Sequence, residues 1–240
     1  MEAEPIRPGL WRWAAPHPEW RPEKGGPGGW EQSVGCVYLE APAAAAEGVI
    51  LMDPLAPPAG TSEAERFWRA LDSDVSRIGR PVAVLLTGFY HQRSATEIVE
   101  RYGGSPGSSL WIPEVARHRL SCGSARAFGE GEPLPGGLEA RVIEGPELPE
   151  VALFIPRHRA LVVADALIGA GNGRARLAPP SWAEQTPEGA ARYQGPYRES
   201  VRRLLDLPVE ILLVSHGEPV LEAGREAIAE ALASPAWGQG

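Results

Sequence analysis

The chain has 240 residues, of which 43% are hydrophobic and 22% charged, and its formal net charge is −8. These values are typical of a globular protein and suit one domain over residues 1–240, while the acidic balance excludes a nucleic-acid-binding face. No run approaches the roughly 18–20 apolar residues that span a membrane, so we expect a cytoplasmic protein without a membrane partner.

Four of the eight tryptophans stand within the first 30 residues, in a segment that is also rich in proline and glycine. We predict that residues 14–32 form a long loop near the functional site. Its aromatic side chains either pack the loop onto the core or form one wall of a ligand pocket. If Trp11, Trp20 and Trp30 instead formed an exposed apolar patch, an interaction or scaffold protein would be favoured.

The next segment, Ser33–Glu40, alternates like a strand with one face turned to a core. It contains Cys36, and Cys122 is the second cysteine of the chain. Neither lies in a C-x-x-C pair, and two cysteines alone cannot form a metal cluster. Both are therefore predicted to be small buried hydrophobic residues.

Four short, β-branched apolar runs each end in a polar residue. These runs are Val49–Asp53, Val82–Thr87, Leu161–Asp165 and Ile211–His216. Continuous apolar runs of this length indicate strands buried on both faces, so helices should cover the sheets. The polar residues then lie at the carboxyl edge of the strands, where sites form in layered α/β proteins.

Helix signals occur between and after these runs. Capping-box spacing at Ser62–Glu65 predicts a helix that ends near Asp72, and the same spacing at Ser94–Glu97 predicts a helix that ends at Gly103. Thr186 is predicted to cap a third helix, with proline in its first turn. A last helix should run from near Pro219 to Leu232, followed by a flexible tail over residues 235–240.

The segment Val151–Ile155 also alternates like a strand, and Pro156–Arg159 is predicted to turn it into the next strand as an exposed hairpin. His158 in that turn, and His118 in a similar Arg-His-Arg context, are expected at the surface.

The order of the strand-end motifs resembles that of the metallo-β-lactamase superfamily, from about Leu10 to Leu232. The resemblance implies an α/β fold, a four-layer αβ/βα sandwich of two mixed β-sheets flanked by helices, with a metal site between the sheets at one edge. Members of that family are mostly zinc- or iron-dependent hydrolases of esters, amides, thioesters and phosphoesters, and some are oxidoreductases.

In that family the second of the four runs leads into Thr-His-x-His-x-Asp-His, whose side chains hold one or two metal ions. Here Thr87 is kept, but the four ligand positions hold other residues: Gly88, Tyr90, Gln92 and Arg93. His91 falls on a spacer position. No ligand of this motif is therefore kept in register.

Two positions do match the family's ligands. Asp165 stands where the family has a bridging carboxylate, and His216 where it has its last histidine. Asp53 matches a strand-end aspartate that is commonly structural, and Glu147 stands near the place of a further ligand histidine. Two ligands are fewer than the three protein groups of a catalytic zinc site, and the permanent charge of Arg93 repels a cation. The sequence therefore predicts no metal cofactor; if one binds, Asp165 and His216 are its ligands, with His91 or Glu147 as a candidate third.

The leading hypothesis from the sequence is a pocket for a small anionic or polar molecule, formed by Tyr90, His91, Arg93, Asp165 and His216. Arg93 directly precedes the predicted N-cap Ser94, where free backbone N–H groups and the helix dipole favour an anion. The alternative is a relic site in which Arg93 and Asp165 pair with each other.

A hydrolase with divergent or metal-independent chemistry is a further alternative. In it His91 or His216 acts as general base, Asp165 orients the imidazole ring and Arg93 stabilises an oxyanion. A serine hydrolase is excluded, although Gly103–Gly107 satisfies G-x-S-x-G: Ser105 follows a helix, and Pro106 has no N–H for an oxyanion. The sequence is compatible with a homo-oligomer but does not specify one.

Overall fold

The computed structural model describes residues 3–26, 28–120 and 124–235. Within this part of the chain the strands of the amino-terminal half are β1 Glu4–Arg7, β2 Leu10–Pro16, β3 Ser33–Glu40, β4 Val49–Met52, β5 Val82–Leu85, β6 Ser108–Pro113 and β7 Arg126–Phe128. Those of the other half are β8 Glu139–Ile143, β9 Glu150–Ile155, β10 Ala160–Val163, β11 Leu167–Gly171, β12 Arg174–Leu177 and β13 Ile211–Val214. The α-helices are α1 Ser62–Ile78, α2 Ala95–Tyr102, α3 Pro187–Arg192, α4 Arg198–Arg203 and α5 Gly224–Ala233.

Two mixed sheets form the centre of the described structure. The first has the order β1 to β7, antiparallel as far as β4 and parallel from β4 to β7. The second has the order β13-β10-β9-β8, in which β10 is parallel to β13 and the other pairs are antiparallel. The small hairpin β11–β12 completes the described sheets.

Side chains that alternate along each buried strand divide the core into three layers. In β4, Ile50 and Met52 face the other sheet, where they meet residues such as Leu153 and Leu213. Their neighbours Val49 and Leu51 face the opposite way, toward α1 and α2. The outer face of the second sheet is covered by the segment from α3 to α5. The predicted four-layer sandwich is therefore confirmed.

The four apolar runs form strands as predicted, since β4, β5, β10 and β13 are buried along their whole length. The predicted strands Ser33–Glu40 and Val151–Ile155 are present as β3 and β9, and a 3-10 turn at Pro156–His158 joins β9 to antiparallel β10.

Several predicted helix limits are wrong. The α1 cap is Thr61, whose Oγ1 accepts the Ala64 N–H at 3.1 Å, and α1 continues to Ile78, where Gly79 ends it with φ +65°. Ser94 precedes α2 but does not cap it, because its Oγ accepts the Ala56 N–H. The last helix begins at Gly224 rather than near Pro219. Thr186 caps α3 as predicted, accepting the Gly189 N–H.

The tryptophan-rich segment begins later than predicted. Residues 14–16 belong to β2, where Ala14 pairs with Gly35 and Pro16 with Ser33, so the connection to β3 covers residues 17–32. Trp13 is buried against Phe67, and Trp11, Trp20 and Trp30 are half-buried.

Of the remaining predictions, Cys36 is buried and His118 exposed, whereas His158 is half-buried. Cys122 and residues 236–240 of the predicted tail lie outside the described residues. No helix in the described ranges is long and apolar enough to cross a membrane. The predicted compartment stays a prediction.

Candidate functional site

The candidate site lies where the carboxyl ends of strands from both sheets meet. Parallel pairing puts Val163 of β10 beside Val214 of β13, so Asp165 and His216 each stand two residues beyond the last pair. In the other sheet Met52 of β4 pairs with Leu85 of β5, which brings Asp53 beside Thr87. The order and register of the strands therefore suffice to bring these side chains to the same edge of the two sheets.

Asp53 is the hub on the side of the first sheet. It is a buried, non-glycine residue with φ +49°, a backbone conformation that turns its carboxylate back over the end of β5. One carboxylate oxygen accepts the Thr87 N–H at 2.8 Å. The other accepts the Thr87 hydroxyl and lies 2.7 Å from His91 Nδ1.

His91 ends a 3-10 turn, Phe89–His91, and is only 2% exposed. Its Nδ1 faces Asp53, and its Nε2 lies 3.4 Å from Asp165 Oδ1. Because a carboxylate on one ring nitrogen fixes the orientation of the ring, the other nitrogen is directed into the site. The residue on the spacer position of the motif is thus a central group of the site.

Asp165 lies between the two histidines. Its Oδ1 is 3.0 Å from His216 Nε2 and 3.4 Å from His91 Nε2. The backbone of the same turn is held by Glu150, whose carboxylate accepts the N–H groups of Asp165 at 2.9 Å and Ala166 at 3.2 Å.

His216 is held by backbone and aromatic contacts. It forms an isolated bridge with Val34 of β3, and its carbonyl accepts the Gly169 N–H at 2.9 Å. The Trp30 and Trp182 rings meet the imidazole edge-to-face, with centroids at 5.4 and 5.6 Å. Trp182 also donates its Nε1–H to Gly28 O, which ties the 17–32 connection to this wall.

Burial and neighbouring charges shift the pKa values of the ionisable side chains in the site. Burial lowers the pKa of His91, but the carboxylates of Asp53 and Asp165 together outweigh this effect and raise that pKa to about 9. Burial raises the pKa of Asp165, yet the neighbouring His91 and His216 bring it below its ordinary value. Burial lowers the pKa of His216, against the opposing effect of Asp165. Burial, followed by the charge of Asp165, raises the pKa of Glu150, whereas the two N–H groups that its oxygens accept favour the ionised carboxylate.

Arg93 does not interact as the sequence suggested. Within the described residues no ion pair joins it to Asp165. One guanidinium nitrogen donates to Gly35 O at 3.0 Å and Asp53 O at 2.8 Å, and another lies 3.4 Å from Ser215 Oγ. Its charge lowers the pKa of both site histidines and so favours the neutral imidazole that ligates metals.

Tyr90 and Glu147 meet at the rim. Tyr90 is 52% exposed, and its hydroxyl donates to the Glu147 carboxylate at 3.2 Å. Neither residue belongs to the Asp53–His91–Asp165–His216 cluster. Tyr90 therefore lies in the same cleft as the other four predicted pocket residues, but at its mouth.

The cluster opens into a cleft of about 420 Å³, which is within the range of small-molecule sites. All five residues of the predicted pocket line it: Tyr90, His91, Arg93, Asp165 and His216. Aromatic walls from Phe89, Trp30 and Trp182, the imidazole of His17 and the ammonium group of Lys24 surround them. The tryptophan-rich segment thus contributes both to core packing, through Trp13, and to a wall of the cleft, through Trp30.

Three side chains of the cluster could hold a single metal ion. One ligating atom from each of His91, Asp165 and His216 lies within 4.8 Å of the other two. In a tetrahedral zinc site with bonds of about 2.0–2.2 Å, neighbouring ligand atoms are about 3.3–3.6 Å apart. The distance from Asp165 Oδ1 to His91 Nε2, 3.4 Å, falls within this range, whereas the 3.0 Å to His216 Nε2 is that of a hydrogen bond. Two imidazoles and one carboxylate are also a ligand set that catalytic zinc uses.

Sequence reasoning missed the contact of Glu150 with the Asp165 turn and the central position of His91 in the cluster. Glu150 carries no motif; the available signal was an acidic residue directly before the apolar strand Val151–Ile155. His91 was named as a pocket or base residue, and as a metal ligand only as a candidate third beside Asp165 and His216. Its proximity to Thr87 and to the strand-end Asp53 was the signal for a carboxylate–histidine pair.

Proteins of known structure share this architecture. A β-lactamase domain protein from Burkholderia ambifaria has a TM-score of 0.66 and 15% identity, covering 97% of this chain and 76% of its own. A metallo-β-lactamase from Pontibacter korlensis has a TM-score of 0.62 and 15% identity, covering 98% and 99%. One from Hirschia baltica has a TM-score of 0.62 and 14% identity, covering 97% and 96%. No protein-family model and no curated protein matches the sequence.

Proposed function

We propose, from the metallo-β-lactamase fold of this chain and the geometry of its cleft, that the protein is a hydrolase with a single metal ion. His91, Asp165 and His216 are the proposed ligands, and zinc is the proposed metal, since catalytic zinc sites use two imidazoles and one carboxylate. The substrate class is a small ester, amide or phosphoester with an apolar portion.

One observation carries the proposal: three ligating side chains converge at the base of a cleft, and Asp53 already holds the remote nitrogen of one of them. A histidine with only a packing role in a core does not require two other metal-ligating side chains next to its ring. Carboxylate–histidine–metal arrangements, by contrast, recur because the carboxylate fixes the tautomer and orientation of the ligand.

The chain's own residues have separate tasks in this account. Asp53 and Thr87 hold the His91 ring, and Glu150 holds the backbone of Asp165. Trp30 and Trp182 shield His216 from water and offer an apolar wall to the substrate. A bound zinc ion would supply a water of lowered pKa and polarise the scissile group.

The test is hydrolysis of a panel of nitrophenyl esters and phosphoesters by metal-free protein and by protein to which zinc has been returned. We expect activity only with zinc. His91→Ala should lower kcat/KM at least about 100-fold, because losing a residue that merely orients a metal ligand already lowers activity about 10–100-fold. His118→Ala, which removes an exposed histidine, is the matched control. Activity that survives both chelation and His91→Ala would overturn the proposal.

A second candidate is a metal-free pocket for a small anionic or polar molecule. It is favoured by the direct contacts that link Asp53, His91, Asp165 and His216 to one another, and by Lys24 at the rim. Calorimetry with small carboxylates and phosphates, in the presence of a chelator, tests it. Saturable heat that disappears in His216→Ala supports this candidate, and no heat with any member of the panel contradicts it.

A further inference from the structure

We infer that Glu150 is a positioning residue that fixes Asp165 between the two site histidines. Its effect on a metal rests on the proposed function, but its contact with the Asp165 turn does not. No sequence motif marks this residue, and it touches neither histidine through a hydrogen bond in the described structure.

The contact is a two-point one. Glu150 begins β9 and is 4% exposed, and its two carboxylate oxygens each accept one of two successive N–H groups, those of Asp165 and Ala166. These N–H groups belong to the turn between β10 and β11. Buried N–H groups without an acceptor are costly, so this carboxylate determines where the turn lies.

Glu150 is itself fixed from the other sheet. The next residue, Val151, donates its N–H to Thr87 O at 2.7 Å, and Thr87 is also bonded to Asp53. Glu150 therefore links the segment that carries His91 to the turn that carries Asp165.

This link matters because metal sites tolerate ligand displacements of only about 0.2 Å. Asp165 Oδ1 is shared between His91 at 3.4 Å and His216 at 3.0 Å, so a shift of its backbone changes both distances together. A glutamine at position 150 has one acceptor and one NH₂ donor. Its carbonyl oxygen can accept a hydrogen bond from one of the two N–H groups. Its NH₂ group, which only donates, then lies against the other N–H group.

The first experiment compares zinc affinity by competition with a chromophoric chelator. We expect Glu150→Gln to weaken zinc binding about 10–100-fold, the usual effect of losing a residue that orients a ligand. Glu130→Gln is the matched control: that carboxylate also accepts a main-chain N–H, from Val142 at 3.2 Å, but at the surface. Its zinc affinity should change by less than about twofold.

A second control separates positioning from a general loss of stability. Ser200→Ala removes a buried acceptor of the Glu144 N–H and should lower the unfolding midpoint without changing zinc affinity. If Glu150→Gln does not fold, Glu150→Asp replaces it, since the shorter side chain cannot reach both N–H groups.

Amide hydrogen exchange of the metal-free protein gives a readout that needs no zinc. The Asp165 and Ala166 amides should exchange at least about 10-fold faster in Glu150→Gln, corresponding to about 1.4 kcal/mol of lost protection. The amide of Leu212, paired with Val220 O, should be unchanged. If the unaltered protein takes up no zinc, the proposed function fails and the exchange data alone decide on Glu150. Unchanged exchange at Asp165 and Ala166, or zinc affinity within about twofold of the unaltered protein, overturns the inference.

Discussion

Replacing Asp53 by asparagine should destabilise the metal-free protein strongly at neutral pH. The Asp53 carboxylate is buried and accepts three hydrogen bonds, two from Thr87 and one from His91. An asparagine NH₂ group must face at least one of these donors. Removing one partner of a buried charged pair costs about 3–5 kcal/mol, so we expect a loss of that size in the free energy of unfolding.

The same pair makes the loss depend on pH. His91 has a pKa of about 9 in the fold against an ordinary 6.5. A raised pKa stabilises the fold fully below pH 6.5, and the stabilisation is lost as the pH rises through about 9. At about 1.4 kcal/mol per pH unit, this contribution is about 3 kcal/mol. The Asp53→Asn variant lacks most of it, so the difference between the two proteins should shrink at pH 10.

Urea unfolding followed by tryptophan fluorescence, with chelator present, measures both effects. Asp72→Asn is the control: Asp72 also accepts three hydrogen bonds, from Arg101 and Tyr102, but its side chain is 42% exposed. Its replacement should cost less than about 1 kcal/mol. An Asp53→Asn loss no larger than that of the control, or one that is the same at pH 7 and pH 10, would refute the reasoning.

Two further changes test other parts of the site. Arg93→Met keeps the bulk of the side chain but removes the hydrogen bonds to Gly35 O and Asp53 O. We expect urea unfolding to show a loss of about 2–4 kcal/mol in the free energy of unfolding, and a loss below about 0.5 kcal/mol would contradict this. The shift that small anions cause in the unfolding temperature should be equal in Arg93→Met and the unaltered protein, because the guanidinium is engaged by carbonyls. Trp182→Phe removes the indole hydrogen bond to Gly28 O but keeps an aromatic ring against His216. We expect trypsin to cleave after Lys24 faster in this variant. An unchanged cleavage rate would show that this bond does not hold the 17–32 connection in place.

The sequence predicted the strand ends well because their signals are local. Each apolar run needs only its own residues to identify a strand buried on both faces. The polar residue at its end is then placed at the carboxyl edge by the direction of the strand. The positions of Asp53, Asp165 and His216 follow from this reasoning, whereas the four-layer sandwich was implied by the family resemblance in the order of these motifs.

The contacts within the site depend on residues far apart in the chain. Arg93 reaches carbonyls 58 and 40 residues away and a hydroxyl 122 residues away. A local pattern places Arg93 before a helix. It cannot show that the guanidinium is already hydrogen-bonded to distant parts of the chain and is therefore not free to bind a ligand. The Glu150 contact with the Asp165 turn is likewise a product of sheet order rather than of spacing.

His91 shows how an alignment in register can mislead. Counting from Thr87 puts it on a spacer position, yet the 3-10 turn Phe89–His91 directs its ring into the site and leaves Tyr90 at the rim. Short turns change direction with every residue, so side chains that face the same way cannot be identified by counting alone.

The most direct test of the account is a calorimetric titration of metal-free protein with zinc, repeated on His91→Ala. We predict saturation at one equivalent for the unaltered chain, and affinity at least about 100-fold weaker for the variant. No heat of binding, or an unchanged affinity without the His91 imidazole, would contradict it.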